Sequence, residues 1–309
     1  MAAAPAGAAL LAYDGFDSYD SSGGYADPSA GPSNALIWDA DTTVGNGFTG
    51  QAAAPQGFTG TWQMTDAIAS FVYPRVDPTT LGYTDSHGFE LQTRDGQATV
   101  FRSSGTASRK IFYEDLNIGT SDTYGGPLYA SFVVDISDGQ PINIRSGSWN
   151  VGDSASTRRF GLSTDASGNL SLFGFQATNT DATAPAGTLS DGSHLIVWKM
   201  ENNVVPGAPN TSEGDLLTMW VDPTDLRAEA YNTAAGSLGT TRTNFFVADN
   251  PAWSLRYMVF ESNVANGGIF AFDEVRVGTT WQSVLPIPEP DRALFLALGI
   301  GALALRRRR

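Results

Sequence analysis

Leu128-Tyr-Ala-Ser-Phe-Val-Val-Asp-Ile136 sets Leu128, Ala130, Phe132, Val134 and Ile136 on one side of an extended chain and Tyr129, Ser131 and Asp135 on the other. Successive side chains of a strand point to opposite faces, so this period of two predicts a half-buried β-strand. Working outward, Leu195–Met200 and Ile269–Val277 are apolar on both faces. Such runs belong in the middle of a sheet that is covered on one side and partly shielded on the other. Further strands are predicted over Phe89–Thr93, Ala98–Arg102, Lys110–Tyr113, Arg159–Ser163, Leu170–Phe175, Leu216–Val221, Leu226–Tyr231 and Leu255–Glu261. Between Thr61 and Tyr73 the pattern is ambiguous, and Pro74 is expected to end whatever forms there. The polar runs Thr178–Ser190 and Asn202–Gly214 read as loops. About eleven strands with Gly-, Asn-, Asp- and Ser-rich punctuation, and no convincing amphipathic helix, predict an all-β fold: a two-sheet antiparallel β-sandwich of jelly-roll type.

Composition agrees. The chain has 309 residues, 41% hydrophobic and 16% charged, with 34 glycines. That suffices for a large core and carries too little charge for a disordered chain. The net charge of -14 hides an asymmetry, because residues 291–309 hold five Arg and one Asp, leaving the body at -18. Such a body repels phosphate backbones and anionic lipids, so nucleic acid is not an expected partner. With no cysteine and two isolated histidines, His87 and His194, disulfides, thiol catalysis and Cys- or His-based metal sites are not expected. Residues 1–12 are small and apolar without a basic start, and read as a residual or truncated signal segment. Residues 13–284 form the expected sandwich domain.

Three segments together resemble the concanavalin A-like or laminin-G-like domains of PEP-CTERM surface proteins of Gram-negative environmental bacteria. They are Tyr13-Asp-Gly-Phe-Asp17, the pair His194-Leu-Ile-Val-Trp-Lys199 and Leu217-Thr-Met-Trp-Val-Asp-Pro223, and Phe272-Asp-Glu-Val-Arg-Val-Gly-Thr-Thr-Trp281. In the last of these, Val275 and Val277 are expected to pack inward, Gly278 to permit a turn and Trp281 to cover the end of the sandwich. Asp273 and Glu274 are expected to accept backbone N–H groups from a neighbouring loop. Residues 285–309 resemble the PEP-CTERM sorting tail: Pro288-Glu-Pro290, an uncharged run from Ala293 to Leu305 expected to be a short hydrophobic helix, and Arg306, Arg307, Arg308 and Arg309 as the membrane stop. Thirteen residues of helix make about 20 Å against a hydrocarbon core of about 30 Å, which suits a transient inner-membrane anchor. The resemblance implies export, processing near Pro288-Glu-Pro290 by an exosortase-type enzyme, and delivery to the cell surface or extracellular matrix.

Sandwich folds host both lectins and glycosidases. The β-glucanase branch carries E-x-D-x-x-E along one strand. Here Glu213-Gly-Asp215 is followed by Thr218 where the second glutamate belongs, and no nucleophile-elbow, metalloprotease or phosphate-loop motif occurs. The expected function is therefore a noncatalytic surface or matrix protein, the alternative being a glycoside hydrolase or other carbohydrate-active enzyme on the same fold. Trp38, Trp62, Trp149 and Trp253, in expected loops, are the candidates for stacking on polysaccharide, while Trp198 and Trp220 are expected in the core. Asp39 and Asp41, in Asp39-Ala-Asp41-Thr-Thr-Val-Gly45-Asn-Gly47, are the candidate calcium ligands; no other cofactor is expected.

Overall fold

The structure is a computed structural model that describes residues 9–16, 57, 63–65, 72–77, 79–94, 96–102, 110–118, 126–136, 142–147, 159–165, 167–176, 179–206, 213–239, 255–262 and 269–287. These contain β1 (Leu10–Asp14), β2 (Gln63–Thr65), β3 (Val72–Asp77), β4 (Gln97–Arg102), β5 (Lys110–Ile118), β6 (Leu128–Ile136), β7 (Ile142–Gly147) and β8 (Arg159–Thr164). They continue with β9 (Asn169–Gln176), β10 (Asn179–Thr188), β11 (Gly192–Pro206), β12 (Glu213–Val221), β13 (Gly236–Gly239), β14 (Leu255–Ser262), β15 (Ile269–Gly278) and the one-turn helix α1 (Trp281–Val284).

All pairings are antiparallel, in two sheets. The larger runs β13-β12-β11-β6-β15-β4-β3, with β1 also on β15; the smaller runs β10-β9-β8-β7-β14-β5-β2. The chain is thus an all-β sandwich. The runs that are apolar on both faces, β11 and β15, lie centrally beside β6, as their composition predicts.

The alternating set of β6 faces the core between the sheets, where it meets Leu162, Leu172 and Phe260 of the smaller sheet. Phe260 stacks on Phe272 at 4.1 Å between ring centroids and stands edge-on to Phe132 at 5.4 Å, so one aromatic from β14 locks two strands of the opposite sheet. Trp198 joins the same group, edge-on to Phe132.

The other face of β6 departs from expectation. Tyr129, Ser131 and Val133 are buried too. The outer face of the larger sheet carries a second apolar layer, in which Leu81, Leu91, Leu226, Trp281, Val284 and Leu285 cover Tyr129, Val133, Leu195, Val197 and Trp220. Ser131 Oγ donates to Val284 O at 2.7 Å, pairing the hydroxyl that burial takes from water. Trp281 accordingly belongs to this outer layer and not to the end of the sandwich; its Nε1 donates to Leu226 O, and its ring meets Trp220 edge-on.

Phe89–Thr93 and Leu226–Tyr231 are not strands. They belong to the covering segments, the second ending in a 3₁₀ turn at Glu229–Tyr231. Asp85 fastens the two together by accepting the backbone N–H groups of His87, Phe89 and Leu226. Pro74 does not end its segment: β3 passes through it, at the edge of the sheet, where a residue without an N–H is tolerated. Thr178–Ser190 is largely β10, and the 202–214 stretch is shortened at both ends by β11 and β12. Leu10–Ala12, expected in the leading segment, lie in β1 against β15.

Candidate functional site

The chemistry concentrates where β15 changes neighbours. On one edge β15 pairs with β4 over residues 269–272, and with β1 over residues 275–278. Between the two, its register against β6 slips: Asp273 faces Val133, yet Arg276 faces Ser131. Three steps on β15 against two on β6 make a one-residue bulge, with Glu274 in the left-handed region at φ 56°. The extra residue reverses the alternation. Phe272 points into the inter-sheet core, and so do Val275 and Val277, as their sequence predicts. Without the bulge, Glu274 and Arg276 would follow Phe272 into that core.

The two carboxylates serve the gap left between β4 and β1. Asp273 Oδ2 accepts from Leu81 N at 3.0 Å and Thr80 Oγ1 at 2.9 Å, and Oδ1 accepts from Glu274 N at 2.7 Å. Glu274 Oε1 accepts from Arg94 N at 2.6 Å and from the Tyr13 hydroxyl at 3.2 Å, while Oε2 pairs with Arg276 Nη2. Both therefore accept backbone N–H groups of the 79–94 segment, in keeping with the reading of the sequence. Burial, reinforced by the neighbouring Glu274, pushes the Asp273 carboxyl up to about 9. Burial also raises Glu274, with Arg276 pulling the other way, and burial followed by the Glu274 charge raises Tyr13.

Tyr13 and Arg276 are register partners, so their side chains lie together. The Tyr13 ring has Arg276 Cζ 4.9 Å and Arg94 Cζ 5.1 Å from its centroid. A Cβ at Gly15 would sit 2.2 Å from the Tyr13 hydroxyl, so the glycine of Tyr13-Asp-Gly-Phe-Asp17 is what lets the ring fold back. Phe16 then enters the core edge-on to Phe272. Beside this cluster opens a cleft of ≈ 410 Å³, lined by Tyr13, Gln92, Arg94, Arg276, Gln282 and Pro286.

The remaining motif pair lies across the same sheet. Trp198 faces Met219 between β11 and β12, and Asp222 at φ 48° accepts from Leu195 N at 2.9 Å and contacts His194 Nδ1 at 2.7 Å. That contact holds the imidazole above its ordinary pKa, with the ring's other nitrogen on Ser190 O. It is an internal brace for the turn after β12.

The residues singled out from sequence for binding and sorting fall outside the described residues: Trp38, Trp62, Trp149, Trp253, Asp39, Asp41, Pro288, Glu289, Pro290 and Arg306, Arg307, Arg308 and Arg309, together with the 293–305 run. Trp198 and Trp220 are buried, as expected. Among the described residues no three His, Asp or Glu gather as metal ligands, and no helix is long and apolar enough to cross a membrane. The cleft was missed because Gln92 and Arg94 stand some 180 positions from Glu274 and Arg276. The available signal was an arginine at position 276 set between Val275 and Val277, two residues after Glu274.

No protein-family model matches the chain, and no curated protein matches it. Solved structures similar to it include a protein of unknown function from Shewanella oneidensis MR-1 (13% identity, TM-score 0.38, 72% of this chain and 87% of that one). A carbohydrate esterase from the Shiga toxin-encoding bacteriophage phi24B is 10% identical (TM-score 0.39, 89% and 100%). The CBM2 module of the evolved Dit protein of Lactobacillus casei BL23 phage J-1 is 11% identical (TM-score 0.35, 69% and 92%). At these levels the likeness concerns fold alone.

Proposed function

We propose that this chain is an exported, noncatalytic surface or extracellular-matrix protein whose sandwich binds polysaccharide and whose Pro288-Glu-Pro290 tail directs it through an exosortase-type enzyme. The observation that carries the delivery is the order of parts in 288–309: a proline-flanked glutamate, an uncharged run of thirteen residues, and four arginines, the charge that a membrane stop would keep on the cytoplasmic side. The inner membrane is then a transient partner. Support for a noncatalytic body comes from the acids beside the cleft. A retaining or inverting glycosidase needs one carboxyl free to protonate and one free to attack or activate water. Asp273 and Glu274 are instead fully buried, each tied to the 79–94 segment, and neither lines the cleft.

The test has two arms. Fractionation of the native host, with mass spectrometry of the mature C-terminus, should find the chain outside the cytosol and ending near Pro288–Pro290; a full-length chain with its arginines in the cytosol would overturn the delivery. Glycan-array binding with and without EDTA, beside hydrolysis assays on the same polysaccharides, should give binding without turnover. Turnover would make the protein a carbohydrate-active enzyme, and EDTA sensitivity would assign the binding to calcium.

A further inference from the structure

We propose that the turn after β12 carries a stacking platform for a neutral sugar ring, built from Tyr231 and Arg227 on the outer layer of the larger sheet; this rests on the reading of the sandwich as a polysaccharide binder. The first reason is exposure. Tyr231 is 64% exposed, the one large hydrophobic side chain left open among the described residues. The 3₁₀ turn that carries it, Glu229–Tyr231, buries no residue, so the ring adds nothing to the core. What holds the turn to the sheet is Glu229, which accepts from the Tyr129 hydroxyl and from Lys199 Nζ.

The second reason is rigidity. Asn232 spans the turn: its Nδ2 donates to Asp225 O at 2.6 Å and Ala228 O at 2.9 Å, and its Oδ1 accepts from Asp225 N at 2.9 Å. Asp225 in turn grips Arg227, accepting from its backbone N–H, its Nε and its Nη2. The guanidinium is thereby held 4.8 Å from the Phe89 centroid and 5.7 Å from that of Tyr231. An open ring fixed in advance binds without the entropy cost of ordering a loop.

The third reason is the chemistry of the platform. The face of an aromatic ring is negative, and the C–H face of a pyranose presents hydrogens of the opposite partial charge. Arg227 and Asp225 sum to zero, so the platform does not attract an anion, and the body at -18 repels one. A guanidinium already over the ring disfavours a second cation there. A neutral ligand remains. The Arg227 side chain, 47% exposed, and the exposed Gln282, which donates to Arg227 O, supply polar groups beside the ring for sugar hydroxyls. One open ring matches one sugar ring, whereas a protein partner calls for a cluster of buried anchors.

The experiment places the full chain, as wild type, Tyr231→Phe and Tyr231→Ala, on an array of neutral gluco-, manno-, galacto- and xylo-oligosaccharides beside oligogalacturonides, followed by calorimetric titration with the oligosaccharide bound best. The expected result is binding of a neutral oligosaccharide that added salt leaves unchanged, that Tyr231→Phe keeps to within about twofold, and that Tyr231→Ala lowers about tenfold or more. An unchanged melting temperature will certify the fold. Should Tyr231→Ala melt lower, nitration of wild-type Tyr231 by tetranitromethane, mapped by peptide mass, decides instead: protection by the oligosaccharide supports the platform and its absence overturns it. Neutral-sugar binding that Tyr231→Ala leaves intact overturns the platform and leaves the polysaccharide reading standing. Binding of oligogalacturonides alone does the same. Binding of no saccharide overturns both readings.

Discussion

Replacing Asp273 by asparagine should flatten the dependence of stability on pH. In the folded chain the carboxyl is buried beside Glu274 and titrates at about 9, against 3.8 in the unfolded chain. Between those values the folded state holds a proton that the unfolded state has released. Stability linked to this group is therefore complete below about pH 4 and is lost progressively as pH rises towards 9. With nearly one proton of difference, the slope over pH 6 to 8 is about 1.4 kcal/mol per pH unit. His194, whose pKa is also raised, adds loss in the same direction, so the Asp273 share is the difference between wild-type and variant slopes. The variant should also start less stable, by about 1 to 3 kcal/mol, because the asparagine NH₂ must face either Leu81 N–H or Glu274 N–H, and one buried donor loses its acceptor. Urea unfolding at pH 6, 7 and 8 and constant ionic strength measures both quantities. Parallel slopes in the two proteins would refute the reasoning, since they would mean that Asp273 is already ionised in the folded state.

Trp281→Ala should cost about 3 to 5 kcal/mol, because it removes the ring against Trp220 and the bond to Leu226 O; chemical denaturation will measure it, and protease sensitivity of the 281–287 segment should rise. Phe272→Ala should cost a similar amount by emptying the stack on Phe260, with a lowered urea midpoint as readout. Gly57→Ala should destabilise by more than about 1 kcal/mol, since position 57 has φ +77° and a Cβ there would sit 1.9 Å from Leu11 O; a thermal melt suffices to check it.

Much of the sheet order was legible because burial on one or two faces leaves different periods. The alternation in 128–136 identified the inner face of β6, and the apolar runs at 195–200 and 269–277 identified the central strands. The covering layer was not legible. Leu91 and Leu226 sit in short apolar stretches that satisfy a strand pattern equally well, and periodicity holds no record of whether a hydrophobic residue pairs in a ladder or lies across one. The same ambiguity hid the burial of Tyr129 and Ser131, whose cover comes from residues 81–91 and 281–285. The bulge, by contrast, left a trace. In Phe272-Asp-Glu-Val-Arg-Val277 the apolar positions move from even to odd numbers across Asp273-Glu274, which is what one extra residue does to a period of two.

That phase change also accounts for why so much charge is buried at one point. Where β4 leaves β15 and β1 has not yet arrived, the larger sheet needs substitute hydrogen-bond acceptors, and Asp273 and Glu274 supply them to Leu81 and Arg94. A left-handed glutamate and a buried ion pair are unfavourable singly, and persist when the surroundings fix them from several sides. Here Tyr13, Arg276 and the 79–94 segment do so. The wall of the cleft is thus the by-product of closing a sheet, and substitutions at Glu274 or Arg276 will lower stability. Arg94 contributes twice, its backbone N–H to Glu274 and its guanidinium over the Tyr13 ring.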